Sequence, residues 1–384
     1  MPDTPIYAIT YPASTGLVTD GASNMQTIST DVETALNRQA ATNDGRNWLD
    51  NPQFSINYRN AQTITAATNG YLADRWLWSV LTGATATFSR STIALATAGL
   101  DASITRGATI NTTASAGTAA GVYVYQSIDA VERLSGRTVV VSFYAKASVN
   151  ATKVGVRLVQ SFGTGGTPST NVDTAMQNAT LTTSWARYSL TFTLGSVNGK
   201  TLGTNNDDAT RLELWTSGGS GTAGSGVGHQ IATVDITGLQ AEIDYLTPWE
   251  LRYDWLDTAR CSRFFQTSYP DSVWLLLGGA GAAGQNGKVE HSATTNGGNA
   301  CYYTFKFPIQ MQRTPTMRFY TQTAGLLGSW EYSRNTVATT AIAVGTATNG
   351  LSPLGFILVN STSLGAVWVP VQMTGQWAAS IDGW

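Results

Sequence analysis

From about residue 47 onward the chain alternates hydrophobic and polar residues with a period of two, which is the pattern of half-buried β-strands. In the segment RTVVVSFYAKA, Val139, Val141 and Phe143 fall on one face of an extended strand, while Tyr144 and Lys146 fall on the other. The segments KVGVRLVQ and SWARYSLTFTLG repeat the alternation, and stretches rich in glycine, serine and asparagine separate them. The pattern predicts an all-β fold, with an antiparallel jelly-roll-like β-sandwich over residues 47–256.

A second series of strands follows a junction near residue 250. Pro248 interrupts the strand pattern. One or two helical turns are predicted there by the spacing of four residues, Leu251, Trp255, Ala259 and Phe264. Strand patterns then resume and continue to the end of the sequence, so we expect a smaller C-terminal β-sandwich over residues 257–384.

The segment TFKFPIQMQRTPTMRFY predicts a corner between two strands of this second region. Pro308 cannot donate a ladder hydrogen bond and should end the first strand, and Pro315 should introduce the next. We expect the C-terminal core to be filled in part by the apolar residues of this corner, Phe305, Phe307 and Met311.

The first 46 residues predict a short extended arm followed by a helix. Along the segment MQTISTDVETALNRQAA, five residues three or four positions apart form a narrow stripe that is apolar except at its last position: Met25, Ile28, Val32, Ala35 and Gln39. A stripe this narrow resembles the seam of a helical bundle. Because a short isolated helix is only marginally stable, we expect it to pack against identical helices around an axis.

Composition supports this organisation and excludes several classes of function. Charged residues make up only 12% of the chain, and the 39 glycines suit a fold with many turns. Sparse charge is typical of subunits that bury surface against copies of themselves, and also of secreted sugar-binding modules. A net charge of −2 gives no electrostatic basis for binding nucleic acid or an anionic membrane. No apolar run approaches 18 residues, so we expect no membrane insertion.

The start of the sequence and the cysteines indicate where the chain is made. Residues 1–16 lack a basic region followed by an apolar region, so we expect no export signal. We therefore expect Cys261 and Cys301 to remain reduced thiols that pack as small hydrophobic groups. The chain therefore has the features of a protein made in a cytoplasm, yet its surface composition resembles that of extracellular proteins. A virion protein that is assembled in the host cytoplasm would have both properties.

Several segments, taken in order, resemble phage tail-fibre and minor tail appendage proteins. NWLDNPQFSINYRN resembles the opening of their sandwiches, and VVVSFYAKA, SWARYSLTFTL and ITGLQAEIDYLTPWELR resemble the later strands. ARCSRFFQ and FKFPIQMQRTPTMRFY resemble the start and the corner of their C-terminal domain. YPASTGLVTDGASNMQTISTDVETALN is similar to their N-terminal arm and helix. The resemblance implies a trimeric virion appendage that is anchored through residues 1–46 and exposes its C-terminus to the host.

The sequence contains no motif that supports catalysis or cofactor binding. Gly279-x-Gly281-x-x-Gly284 has the spacing of a dinucleotide-binding turn, but the segment after it cannot form the required helix. A second match, at residues 219–224, is a low-complexity loop. The two histidines lie in separate loops, and no zinc or acyl-transfer motif occurs. A polar turn is favoured over calcium for the segment NNDDA at residues 205–209. We therefore expect no enzyme activity, no cofactor and no metal.

The aromatic residues provide the remaining signal. Trp76 and Trp78 share one face of a predicted strand and should lie in the core or at a subunit contact. Trp330 and Tyr332 are flanked by glycine and polar residues and are candidates for stacking on sugar rings. Trp377 and Trp384 are also flanked by glycine and polar residues, and they are candidates for the same contact. The alternative for all four is a contact at the trimer axis or between domains.

These observations predict a non-enzymatic structural virion protein. The first hypothesis is a homotrimeric tail-fibre-like appendage that docks onto other virion proteins through residues 1–46 and binds a host-surface glycan through its distal domains. The second is an architectural fibre, collar or head-fibre protein without a receptor. The third is a secreted, monomeric carbohydrate-binding module of non-viral origin.

Overall fold

The computed structural model describes residues 21, 23, 25–32, 45–59, 64–65, 69–268, 289–294, 301–320, 329–334, 337–343, 348–360 and 370–381. Backbone alone is described in the following ranges: 64–65, 289–294, 301–304, 320, 329–334, 337–343, 348–350, 356–360 and 370–376. In the first part of the chain, residues 25–32 form a helix, α1, whose stripe residues Met25 and Val32 are 70% and 39% exposed.

Two antiparallel sheets follow α1. Their strands, in chain order, are β1 (Ile64–Thr65), β2 (Asn69–Ala73), β3 (Trp76–Leu81), β4 (Ala84–Thr92), β5 (Arg106–Ser115), β6 (Gly121–Asp129), β7 (Thr138–Ala147), β8 (Lys153–Ser161), β9 (Val172–Asp173), β10 (Gln177–Thr180), β11 (Ala186–Thr193), β12 (Ala209–Gly218) and β13 (Thr233–Ile243). The first sheet has the order β1-β4-β5-β13-β7-β11. The second has the order β10-β8-β12-β6-β3-β2, with β9 beside β8.

The two sheets pack face to face as a β-sandwich, which confirms the predicted all-β antiparallel fold. The inward-facing residues of β7, Val139, Val141 and Phe143, are fully buried, as the period-two alternation predicted. Trp76 and Trp78 are also buried in this core, so the core interpretation of these two residues is correct. The Trp78 ring stacks on Phe88 of the opposite sheet with centroids 4.9 Å apart.

The segment 47–59 fastens the beginning of the sandwich to strands that lie far away in sequence. The Asn47 amide donates to the carbonyl of Leu239, and its Oδ1 accepts from the backbone N–H of Ala241. Asn51 has a positive φ of 50°, and its side chain bonds the backbone of Ile56 and Asp74. Buried backbone polar groups need such partners, which explains the asparagines of this segment.

A helix and further antiparallel strands follow the sandwich. They are α2 (Asp254–Ser262), β14 (Phe265–Thr267), β15 (Val289–Thr294), β16 (Cys301–Lys306), β17 (Thr316–Tyr320), β18 (Ser329–Arg334), β19 (Val337–Ala343), β20 (Thr348–Ser352), β21 (Gly355–Asn360) and β22 (Pro370–Ser380). One sheet has the order β14-β22-β18-β19, with β15 and β17 also paired to β22. A smaller sheet has the order β16-β21-β20.

The predicted corner is present between β16 and β17. β16 ends at Lys306, before Pro308, and β17 begins at Thr316, after Pro315. Phe305, Phe307 and Met311 are all buried, as expected. The Phe307 ring lies 5.5 Å from the ring of Trp377 on β22, so the corner packs against the last strand.

The predicted helical turns are present at the junction as α2, but two of the apolar residues that predicted them are exposed. Leu251 and Trp255 are 58% and 68% exposed, whereas Asp257 and Cys261 are the buried residues of α2. Asp257 lies inward and pairs with Arg252 at 2.8 Å. Cys261 has a free thiol, and burial raises the pKa of this thiol well above its ordinary value. The side chain of Cys301 lies outside the described residues.

Two arginines join the sandwich to the strands beyond α2. The guanidinium carbon of Arg75 lies 3.2 Å from the ring centroid of Phe264, and that of Arg59 lies 4.2 Å from the ring centroid of Phe265. Arg59 also donates to Ser380 Oγ at 3.0 Å. Among the described residues, no helix has the length and hydrophobicity needed to cross a bilayer.

Candidate functional site

The outer face of the second sheet, turned away from the core, carries aromatic and charged side chains at its centre. Residues that are opposite each other on antiparallel strands lie on the same face. Tyr125 on β6 is opposite Glu213 on β12, and Glu213 is opposite Arg157 on β8. Tyr123 is opposite Trp215 in the adjacent row. Together with Arg211, these residues form what we call the platform: Tyr123, Tyr125, Arg157, Arg211, Glu213 and Trp215.

The aromatic half of the platform is a row of three neighbouring rings, of which two are stacked. The rings of Tyr123 and Trp215 are 17° from parallel, with centroids 4.2 Å apart. The ring of Tyr125 lies 5.6 Å from that of Tyr123, and the guanidinium carbon of Arg211 lies 5.5 Å from the Tyr125 centroid. Trp215 is buried, whereas both tyrosines are half-buried. The tyrosine rings are therefore the aromatic surface that a ligand can reach.

The charged half of the platform is organised by Glu213, whose side chain is only 1% exposed. Its Oε2 accepts from Arg157 Nε at 2.7 Å and from Trp215 Nε1 at 2.9 Å. Its Oε1 lies 2.6 Å from Arg211 Nη2. A buried carboxylate without such partners would be strongly unfavourable. The network therefore fixes the orientation of both arginines and of the Trp215 indole.

Arg157 is held by two carboxylates. In addition to Glu213, its Nη1 pairs with Asp173 on β9. Burial of Arg157 acts to lower its pKa, but the hydrogen bonds and charges of Glu213 and Asp173 outweigh burial and raise the pKa above its ordinary value. The guanidinium thus remains a fixed positive group.

A glycine-rich loop covers Trp215. A Cβ atom at Gly224 would lie 2.2 Å from Trp215 Cε3, which is closer than real contacts allow. A Cβ atom at Gly219 would lie 2.4 Å from the carbonyl oxygen of Gly117. Close packing thus explains two glycines of the Gly219-x-Gly221-x-x-Gly224 spacing. The loop therefore covers the Trp215 end of the platform.

The platform combines the two kinds of contact that sugars require. A pyranose ring presents apolar C–H faces, which stack on aromatic rings, and hydroxyl groups, which need donors and acceptors. Tyr123 and Tyr125 supply rings, and the side chain of Arg211, 33% exposed, supplies donors beside them. Because these groups lie on paired strands, their geometry is fixed before a ligand binds.

The sequence reasoning missed the platform. The segment GVYVYQSID did contain a signal, since Val122 and Val124 alternate with Tyr123 and Tyr125 and point into the core. The register that brings Glu213 beside Tyr125 joins residues almost 90 positions apart, and no local pattern encodes it.

The residues proposed from sequence as sugar contacts are only partly described. Trp330 and Tyr332 lie on β18, paired with β19 and β22, but their side chains are outside the described part of the structure. Trp377 is 6% exposed and packs against Phe307, which is a contact within the C-terminal strands rather than the predicted contact at a trimer axis or between domains. Trp384 and the Gly279-x-Gly281-x-x-Gly284 segment lie outside the described residues.

The segment 205–209 forms a hydrogen-bonded turn. Both oxygens of Asp207 accept from Thr164, one from its N–H at 2.7 Å and one from its hydroxyl at 2.5 Å. Asp208 accepts from the N–H of Val131 at 2.9 Å. Within the part of the chain that the structure describes, no three His, Cys, Asp or Glu side chains gather as a metal site.

A second concave site lies at the junction with α2. It is a cleft of about 960 Å³ between segment 53–58, the loop before β5 and the start of α2. Its walls carry amide and hydroxyl side chains, among them Gln53, Asn57 and Ser103, and Tyr253 stands 66% exposed at its edge. The cleft has the volume of a ligand site, but its two aromatic residues, Tyr58 and Tyr253, lie outside the strands.

Neither protein-family models nor curated proteins match the sequence. Among solved structures, the chain is similar to the enzymatically active domain of bacteriophage CBA120 tailspike protein 4, with 13% identity and a TM-score of 0.31. That match covers 52% of this chain and 21% of the tailspike chain, so the similarity spans about a fifth of the tailspike.

Two carbohydrate-binding modules are similar to the chain at the same level. One is the family 11 module from Clostridium thermocellum in complex with a mixed-linked tetrasaccharide, with 13% identity, a TM-score of 0.28 and coverage of 48% of this chain and 99% of the module. The other is the N-terminal cellulose-binding domain of Cellulomonas fimi β-1,4-glucanase C, with 20% identity, a TM-score of 0.26 and coverage of 41% and 90%. TM-scores below 0.5 do not transfer a function, and the candidate site of this chain rests on its own geometry.

Proposed function

We propose that this chain is a subunit of a phage tail-fibre-like appendage and that its sandwich binds a glycan on the host surface. The observation that carries the proposal is the platform, where two half-buried tyrosine rings lie beside a fixed arginine on rigid strands. The protein acts by binding rather than by catalysis. Weak single sites suffice in an appendage, because several copies bound together can raise avidity by about 10²–10⁴.

The N-terminal region supports an oligomeric appendage. Met25 is 70% exposed and Val32 is 39% exposed on α1, so the described residues leave these two positions of the stripe accessible to a partner. The ordered resemblance to tail appendage proteins includes this helix and implies a homotrimer anchored through residues 1–46. We propose that three copies of α1 pack along this stripe and that the arm docks onto another virion protein. In this proposal the protein is located in the virion.

The stretch after β13 favours a second candidate, an architectural role. Five large apolar side chains are exposed between residues 245 and 255: Tyr245, Leu246, Leu251, Tyr253 and Trp255. Exposed apolar groups this dense in sequence are typical of contact surfaces. If copies of the chain cover them, the same fold can serve as a fibre or collar subunit without a receptor.

Binding of the purified chain to bacterial cells tests the glycan proposal. Fluorescently labelled full-length protein is incubated with a panel of strains, before and after mild periodate oxidation of their surface sugars. We expect binding to at least one strain and its loss after oxidation. Binding that survives oxidation on every strain would contradict a glycan receptor, and an absence of binding to all strains would favour the architectural role.

Light scattering tests the oligomeric proposal and separates it from a secreted carbohydrate-binding module. We expect a particle of about three times the chain mass of 40.7 kDa. A chain that remains a monomer at micromolar concentration would contradict the appendage and would favour the secreted module. A cryo-EM map of the intact particle would then locate the trimer on the virion.

A further inference from the structure

A small cavity lies where the start of the sandwich meets α2, apart from the platform and from the junction cleft. Its volume is about 220 Å³, below the roughly 300–1,000 Å³ typical of pockets for drug-sized ligands. Four arginines from three parts of the chain line it, Arg75, Arg133, Arg260 and Arg263. The carboxylates in its lining are Asp50 and Asp129, so two positive charges are in surplus.

Two of these arginines form the fixed floor of the cavity. Arg75 donates from Nε to Asp50 Oδ2 at 3.0 Å, and Arg260 donates from Nε to Asp50 Oδ1 at 2.5 Å. Arg75 also stacks on Phe264, and Arg260 donates to the carbonyl of Trp48. Both guanidinium groups are therefore held in place. Burial acts to raise the pKa of Asp50, but Arg260, Arg75 and Arg252 outweigh it and lower the pKa.

The other two arginines supply the unused positive charge. Arg133 is exposed on the 3₁₀ turn Val131–Leu134, and Arg263 is half-buried directly after α2. Within the described part of the chain, neither guanidinium forms a side-chain hydrogen bond or an ion pair with another residue. A guanidinium can donate two parallel N–H hydrogen bonds to the two oxygens of a carboxylate. A bound anion would therefore supply the acceptors that Arg133 and Arg263 need.

The wall of the cavity determines which anion fits. Trp48 lines it and is partly buried against the sandwich core, and Ile128 adds a further apolar contact. A flat apolar ring beside an arginine cluster suits a ligand that has both a C–H face and a carboxylate. Inorganic phosphate or sulfate has no such face and would make no stacking contact with Trp48.

We propose that this cavity binds an acidic monosaccharide, a hexuronate unit of a surface polysaccharide. Its carboxylate lies between Arg133 and Arg263, and its ring lies against Trp48. The inference rests on the proposed glycan-binding function and adds to it a class of sugar and a second subsite. Since Arg133 belongs to the sandwich and Arg263 follows α2, a bound sugar contacts both regions and ties them together.

Saturation-transfer NMR and calorimetry of the full-length chain with sodium D-glucuronate test the proposal. We expect saturation transfer to the ring protons of glucuronate and none to D-glucose at equal concentration. The double variant Arg133→Gln/Arg263→Gln should weaken glucuronate binding at least about tenfold, since hydrogen bonds to charged groups are the strong ones. The matched control is Arg137→Gln, which changes an exposed arginine four positions from Arg133 and should bind as the parent does.

The outcomes separate this inference from the function on which it rests. Tyr125→Ala removes a ring of the platform and should weaken polysaccharide binding, whereas the double arginine variant weakens glucuronate binding. Unaltered glucuronate binding in the double arginine variant would overturn the inference, as would no binding by the parent, even if the chain still binds bacterial polysaccharide. A further outcome is that equimolar inorganic phosphate displaces glucuronate while the glucuronate ring protons show no saturation transfer. This result would contradict recognition of the sugar ring and would indicate a site for simple anions only.

Discussion

Arg157 on β8 donates from Nε to Glu213 Oε2 on β12 at 2.7 Å, and both side chains lie on the outer face of the sandwich. Polar side chains on an outward face usually remain in water, yet Glu213 is almost fully buried. The covering groups are its own neighbours, Tyr125, Trp215 and Arg211. This pair lies at the centre of the platform. Substitutions at Glu213 test the stability of the platform, and substitutions at Tyr125 test its binding of a glycan.

Glu213→Gln should destabilise the fold. The substitution keeps the shape of the side chain but leaves Arg157 and Arg211 without their shared buried carboxylate. Breaking a buried pair in this way costs about 3–5 kcal/mol. Urea denaturation measures the free energy of unfolding. The control is Asp173→Asn, which removes the 45%-exposed partner of Arg157 and should cost less than about 1 kcal/mol. Equal losses in the two variants would show that Glu213 is no more buried than Asp173.

Gly224→Ala should disturb the loop that covers Trp215. The added Cβ atom would lie 2.2 Å from the indole, so the loop or the ring must move, at a cost of about 1–3 kcal/mol. We expect a lower melting temperature and a red shift of tryptophan fluorescence as water reaches the ring. Gly226→Ala, in the same turn, is the control, because the nearest atom to its Cβ lies 3.8 Å away. Equal melting temperatures of the two variants would contradict the close contact between Gly224 and Trp215.

Asp50→Asn should give a pH-dependent loss of stability. The folded-state pKa of Asp50 is lowered below 3.8, so its carboxylate stabilises the fold above that value, and this contribution is lost as the pH falls through the folded-state pKa. At pH 7 the variant should be less stable by about 3–5 kcal/mol, because Arg75 and Arg260 lose the buried carboxylate that both contact.

The difference between parent and Asp50→Asn should therefore shrink steadily as the pH falls below 3.8. Urea denaturation from pH 7 to pH 2.5 measures it. Glu132→Gln removes an exposed carboxylate and should stay within about 0.5 kcal/mol of the parent throughout. A difference that grows on acidification would mean that the sign of the pKa shift is wrong.

Phe307→Ala should destabilise the C-terminal strands. Phe307 is 6% exposed and packs against Trp377, and truncation of a buried phenylalanine costs about 3–5 kcal/mol. Differential scanning calorimetry should show a lower transition temperature for the variant. Lys306→Ala, at the exposed neighbouring position, should melt as the parent does. A variant of Phe307 that also melts as the parent does would place the corner at the surface.

Local pattern was sufficient to predict the strands. The alternation in β7 and β8 identified their buried faces, and the two prolines fixed the corner near Phe307, because both effects act within a few residues. The junction helix was harder. The spacing of Leu251 and Trp255 helped to predict helical turns, yet both residues are exposed, whereas α2 buries Asp257, which pairs with Arg252.

The candidate site depends on pairings that the sequence does not encode locally. Tyr125, Arg157 and Glu213 come together only because β12 lies between β6 and β8 in a specific register. The arginine cavity is similar in this respect, since Arg133 and Arg263 are 130 positions apart in the sequence. Residue types alone directed the sequence reasoning to Trp330 and Tyr332, and their role as sugar contacts stays a prediction.

Titration of the full-length chain with a panel of bacterial surface polysaccharides tests the central claim most directly. The comparison is between the parent, Tyr125→Ala and the control Tyr245→Ala, which changes a tyrosine that is 74% exposed and distant in sequence from the platform. We predict that a polysaccharide bound by the parent binds Tyr125→Ala at least about tenfold more weakly, because one stacking ring is lost, while the control binds unchanged. Equal affinity of the parent and Tyr125→Ala for every polysaccharide that binds would contradict the platform as the glycan site.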